Sequence, residues 1–197
     1  MYGLINRAIQ CFICDTYGPD SWKTIAGLAG LGFENFEAML SYDDELTGAV
    51  LSGASSHLSK PTESILEDLG TYLVSHPNLE GVRRLLRFGG DSFLEFLHSL
   101  DDMPGAARLA APDLILPQLE TRDHLGGVFT LYCRFAVPGS GHVMVGILRA
   151  MADDYGTLAV LEHLGGNSGV EMVKIQLLET QFAAGRSFQL SSAGSAA

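Results

Sequence analysis

The chain has 197 residues, 47% of them apolar and 18% charged, which is enough for one domain with a sizeable core and too apolar for a disordered segment. A formal net charge of −11 argues against nucleic acid and anionic membrane surfaces as partners, because phosphate binding needs clustered Lys and Arg. Three Cys speak against a disulfide framework, no N-terminal signal region is visible, and no run approaches the roughly 18 apolar residues of a membrane helix, so a cytoplasmic location is expected.

In chain order, Leu4, Ala8, Cys11 and Phe12, with Ile5, Ile9 and Ile13 beside them, form a wide helical stripe that stops near Tyr17-Gly18-Pro19. Cys11-x-x-Cys14 lies inside that stripe and has no second pair, so its thiols read as structural rather than as a redox or half-zinc motif. A second helix begins near Asp20 and carries Trp22, Ile25 and Leu28. A third, capped by Asp43 or Asp44, runs through Leu46, Val50 and Leu51. Ser59-Lys60-Pro61 opens a fourth, with Ile65, Leu66, Leu69, Leu73 and Val74 facing inward. His76-Pro77-Asn78 ends it and starts a short helix through Leu79, Val82, Leu85 and Leu86, where Arg83, Arg84 and Arg87 read as a solvated face.

Asp91, after Gly89-Gly90, is a candidate N-cap for a helix in which Phe93, Phe96, Leu97, Leu100 and Met103 recur at three- and four-residue spacing. Pro104 and Gly105 should end or kink that helix. Pro112 and Pro117 bracket Asp113-Leu114-Ile115-Leu116, a segment expected to be extended.

After Gly126-Gly127 the period changes to two. Phe129, Leu131, Cys133, Phe135 and Val137 share one face, with Thr130, Tyr132 and Arg134 opposite. Pro138-Gly139-Ser140-Gly141 is a turn, and Val143, Ile147, Ala150 and Met151 imply a helix ending near Tyr155-Gly156. Strands over Thr157 to Leu164 and Val170 to Leu178 then read as a hairpin around Gly165-Gly166-Asn167-Ser168-Gly169. The expected fold class is α+β, an N-terminal helical layer packed on a C-terminal mostly antiparallel sheet. Residues 1–182 are expected to form one domain and 183–197 a flexible tail.

The order Phe93-Leu94-x-Phe96-Leu97, Leu100-Asp101, Pro112 and Pro117 resembles the signature region of the haem nitric oxide/oxygen binding (H-NOX) domain. Met1-Tyr2-Gly3-Leu4-Ile5-Asn6, Tyr17-Gly18 and Trp22 look like that family's opening, and the resemblance runs over roughly residues 1 to 180. It implies haem between the helical half and the sheet, one axial His, and propionates held by a Tyr-x-Ser-x-Arg motif. The position that carries the axial His in the family is Pro104 here, and the motif's three positions fall on Cys133, Phe135 and Val137. Ile5 and Pro117 match the residues that press on the haem faces.

The resemblance therefore marks Ile5, Leu97, Leu100, Met103, Pro104, Pro117, Cys133, Phe135, Val137 and His142 as pocket candidates. No metal ligand is expected among them, with His142 the candidate if haem binds, because it falls where oxygen-binding members place a distal Tyr. Haem is thus implied by resemblance alone, against the loss of the axial His and of the propionate motif. His98 precedes Pro104 by six residues, about 120 degrees around a helix of roughly 3.6 residues per turn, and should face elsewhere. His57, His76, His124 and His163 show no ligand spacing.

Nothing assembles an active site: there is no phosphate loop, His-Glu-x-x-His or nucleophile elbow, and Asp101-Asp102 and Asp153-Asp154 are adjacent pairs that cannot converge on one helix face. The chain reads as an H-NOX-like signalling module without conventionally ligated haem, acting through a partner protein or an apolar ligand. The alternative is a haem sensor of nitric oxide or another diatomic gas with a non-standard axial ligand. The resemblance implies a signalling partner such as a histidine kinase or a cyclic-dinucleotide enzyme.

Overall fold

The computed structural model describes residues 3–105, 116–180, 182, 183 and 185. Helices come first: α1 Gly3–Tyr17, α2 Pro19–Leu28, α3 Asp44–Leu58 and α4 Thr62–Ser75. A 3-10 turn at Pro77–Leu79 leads into α5, Glu80–Arg87, and α6 covers Phe93–Ser99. The strands β1 Gln118–Asp123 and β2 Val128–Arg134 follow, then α7 Ser140–Tyr155, β3 Leu158–Asn167 and β4 Val170–Glu179. They make one four-stranded sheet in the order β1-β2-β4-β3, antiparallel at every pairing. The α+β expectation holds.

The sheet has one strand more than periodicity suggested. β1 reads Gln-Leu-Glu-Thr-Arg-Asp, an edge strand that pairs with β2 alone, so it needs little apolar alternation to form. The β3–β4 hairpin is as expected, and it turns at Ser168 and Gly169, both in the left-handed region at φ 51° and 76°. The extended reading of residues 113–115 and the tail 186–197 lie outside the described residues.

Among the described residues, two hydrophobic clusters fill the interior. One joins α1 to α4 through Ile9, Phe12, Ile13, Trp22, Ile25, Val50, Ile65 and Leu69. The other joins α6 and α7 to the inner face of the sheet through Phe96, Leu97, Leu100, Phe129, Leu131, Cys133, Leu148, Met151, Val173 and Ile175. The helical layer meets the sheet layer where α4 crosses α7. A Cβ on Gly70 would strike the carbonyl of Val143, and one on Gly146 would strike the carbonyl of Glu67, so two glycines let the backbones touch.

Arg83 and Arg87 do not form a solvated face. Both turn in onto Asp154 near the end of α7: the Arg83 guanidinium lies 2.6 Å from Asp154 Oδ1 and Arg87 Nε 3.8 Å from Oδ2, with the Asp154 side chain 1% exposed. Burying a carboxylate demands such partners, and Arg87 also stacks on the Tyr155 ring at 3.9 Å. This clasp fixes α5 to α7.

Candidate functional site

The region marked by the resemblance begins at α6. Its N-cap is Ser92, not Asp91: Ser92 Oγ accepts from the Glu95 N–H at 3.2 Å while Glu95 Oε2 accepts from the N–H groups of Ser92 and Asp91, a reciprocal capping box. The helix then stops at Ser99, earlier than the spacing of Leu100 and Met103 suggested. Leu100, Asp102 and Met103 donate their N–H groups three residues back, to Leu97, Ser99 and Leu100, which tightens the chain out of α geometry. The cause is Pro104, which has no N–H and whose ring would crowd the Leu100 carbonyl in a continuous helix.

Residues 103–105 are helical again, so Pro104 occupies a first turn, where the missing N–H costs no intrahelical bond. Its side chain is buried. Asp101 ties this corner to the sheet by accepting from the Thr121 N–H of β1 at 2.7 Å.

The ten marked positions do not converge. Leu97, Leu100 and Cys133 are fully enclosed in the sheet-side cluster, and Met103 packs against it. Ile5 packs instead against the α1–α4 cluster. Phe135 and Val137 lie beyond the last residue of β2. The strand ends at Arg134, and both residues are half-buried beyond it, with the Phe135 N–H donating to the Gly169 carbonyl at 2.9 Å. Pro117 is half-buried just before β1. Burial pushes the Cys133 thiol pKa above its ordinary value, against a 3.4 Å contact to Ser140 Oγ.

His142 sits in the first turn of α7 within a cluster that its sequence neighbours do not reveal. Its Nδ1 is 3.4 Å from Glu67 Oε1 of α4, and its ring lies 3.9 Å from that of His163 on β3, with 31° between the planes. His163 Nε2 is 3.0 Å from Glu171 Oε2 on β4. Glu171 also accepts from the N–H groups of Gly139 and Gly141, at 2.6 and 2.8 Å, and so supplies the cap that α7 lacks from its own N-cap side chain. Arg149 closes the group by donating to Glu67 Oε2 at 2.8 Å. Burial raises the Glu67 pKa, but the hydrogen bonds from Arg149 and His142 outweigh it and hold the carboxyl below its ordinary range. Period two was the available signal. His163 continues the inward face of Leu161, and Glu171 that of Val173 and Ile175.

No three His, Cys, Asp or Glu among the described residues are placed to hold a metal ion. Two surface grooves, of about 500 and 590 Å³, are lined by Trp22, Leu31 and Phe33 and by Leu94, Leu125 and Leu177, with none of the ten marked residues in either wall. No helix among the described residues is long and apolar enough to cross a membrane.

Comparison with known proteins agrees with the fold. The chain is similar to the soluble guanylate cyclase gcy-31 of Caenorhabditis elegans, 24% identical over 165 residues that cover 83% of this chain and 24% of that protein. It is 26% identical to soluble guanylate cyclase 89Db of Drosophila melanogaster over 157 residues, 79% of this chain and 23% of that one. The chain thus spans about a quarter of the length of these relatives. Among solved structures it superimposes on the Fe(II) unliganded H-NOX protein of K. algicida with a TM-score of 0.77 at 15% identity, covering 93% of this chain and 100% of that one. The S. oneidensis H-NOX protein in its Fe(II)NO state gives 0.73 at 14% identity, over 91% and 100%. At these identities the likeness shows the fold alone. The model of the haem-NO-binding (HNOB) family matches residues 2–163, and the chain belongs to that family.

Proposed function

We propose that this chain is an H-NOX-type signalling module that works without conventionally ligated haem and passes its signal through a partner protein. The observation that carries this reading is Pro104. At the position where the resemblance places the axial ligand, the chain holds a buried side chain with no donor atom, on a corner tied to β1 through Asp101. The residues present therefore do not fit a proximally ligated haem. The enclosed side chains of Leu97, Leu100 and Cys133 support the same reading.

The alternative, a haem sensor of nitric oxide or another diatomic gas, needs His142 as ligand. That imidazole already holds Glu67 through Nδ1 and lies against the His163 ring, so only Nε2 is left to ligate. By family likeness the partner is a signalling enzyme, such as a histidine kinase, a cyclic-dinucleotide enzyme or a nucleotide cyclase. Three free thiols agree with a reducing, cytoplasmic setting.

Haem reconstitution of purified protein tests the reading. The expected absorption spectrum has no stoichiometric Soret band. A stoichiometric band that shifts on adding nitric oxide overturns the proposal in favour of the gas sensor.

A further inference from the structure

From Thr24 to Ser59 the chain has no Lys or Arg, yet it carries Glu34, Glu37, Asp43, Asp44 and Glu45, all exposed. The cations that flank this stretch are engaged elsewhere: Lys23 with Asp20 at 3.2 Å and Lys60 with Asp68 at 2.8 Å. Arg7 reaches the stretch from α1 and donates to Asn35 Oδ1 at 3.5 Å. On the same surface stand Met39, Leu40, Leu4 and Phe33, respectively 79%, 54%, 42% and 36% exposed. Exposed apolar side chains scattered singly need no explanation, but these are joined. The Gly3 N–H donates to the Leu40 carbonyl at 2.7 Å, which sets Leu4 beside the loop, and the Phe33 ring packs on Phe36 and Tyr42 at 5.1 and 5.5 Å.

The surface is also pre-formed. Gln10, 3% exposed, accepts from the Phe36 N–H at 3.0 Å, Trp22 Nε1 donates to the Glu34 carbonyl at 2.9 Å, and Tyr42 Oη accepts from the Glu37 N–H at 2.8 Å. A loop held at three points loses little conformational freedom when something binds it. Beside it runs the groove of about 500 Å³ floored by Trp22, Ala26 and Leu31.

We propose that this face, Leu4, Phe33, Met39 and Leu40 within an acidic rim, docks a basic amphipathic segment of a partner protein. Charge selects the occupant. A second copy of the chain would bring the same carboxylates against themselves across a two-fold interface, and an anionic lipid surface would be repelled. A helix with Lys or Arg flanking an apolar stripe satisfies both the rim and the floor, and the acidic field speeds its approach. The inference rests on the reading that the module works through a partner.

The test uses the full chain, labelled with nitrogen-15, and a synthetic Leu/Lys helical peptide with leucines at i, i+3, i+4 and i+7. A Leu/Glu peptide of the same pattern is the control. Amide shifts should move only at Gly3, Leu4 and the loop from Leu28 to Glu45, and the Leu/Glu peptide should leave the spectrum unchanged. Met39→Ser with Leu40→Ser, and separately Glu34→Lys with Glu37→Lys, should each weaken binding by about tenfold while the rest of the spectrum overlays. Shifts on another face, or serine variants that bind as well as the parent, overturn the proposal. So does a dimer in sedimentation that Leu40→Glu dissolves, since a second copy is then the occupant. The haem spectrum is read independently, so failure of the haem-free reading and failure of this docking face are told apart.

Discussion

The imidazoles of His142 and His163 face each other with their centroids 3.9 Å apart, although they lie 21 positions apart in the chain, with most of α7 between them. Each ring keeps one nitrogen near its own carboxylate, Glu67 for His142 and Glu171 for His163, so the pair links α4, α7, β3 and β4. Glu171 does more than hold His163, because it also accepts from two backbone N–H groups at the start of α7. Glu171→Ala should therefore cost about 2 to 3 kcal/mol in urea unfolding, and His163→Ala about 1 kcal/mol. Equal costs would mean that the helix N-terminus does not depend on the carboxylate.

Glu67 gives the cluster an acid limit. Its folded pKa lies below the ordinary value of 4.5 because the hydrogen bonds from Arg149 and His142 outweigh burial. A carboxyl with a depressed folded pKa adds stability above its unfolded value, and that stability is lost as pH falls through the folded one. The wild type should thus lose stability below about pH 4.5 more steeply than Glu67→Gln, as measured by thermal melts between pH 6 and pH 3. Parallel melting curves for the two proteins would remove Glu67 from the account. Arg149 is half exposed, so the difference is modest, about 1 kcal/mol or less.

Asp154 is the anchor between α5 and the end of α7, with Arg83 and Arg87 on either side of a side chain 1% exposed. Asp154→Ala leaves two inward guanidiniums without their carboxylate and should destabilise the fold by about 3 kcal/mol. Arg84→Ala, one residue along the same helix, should cost less than about 0.5 kcal/mol. Chemical denaturation of the two variants compares them directly.

Pro104→His restores a ligating side chain at the corner after α6. The expected product is folded and does not take up stoichiometric haem, because Leu97, Leu100 and Cys133 are already packed with Phe129 and Leu131. Circular dichroism and a haem titration check both parts. A Soret band with axial-His character would show instead that this cluster opens and that the ligand was the single thing lost.

The sequence alone determined the layer order and the inward faces of most elements, because both follow from local periods. Period-3.6 stripes placed Ile9, Phe12, Ile65 and Leu69, and period-two alternation placed Phe129, Leu131 and Cys133. It also located the break at Pro104, since a missing N–H and a bulky ring act on the chain's own backbone. The tertiary structure decided what depends on neighbours remote in sequence. Arg83 and Arg87 read as solvated until the end of α7 brought Asp154 to them. β1 has no apolar alternation of its own and forms by pairing with β2. Phe135 and Val137 matched the alternation of β2, but the strand ends at Arg134 and both stand half-buried between it and the turn that opens α7. Period two turned His163 inward, but its contact with His142 exists only where α7 is laid across the β3–β4 hairpin, and no local period encodes the distance between two elements that meet through the core.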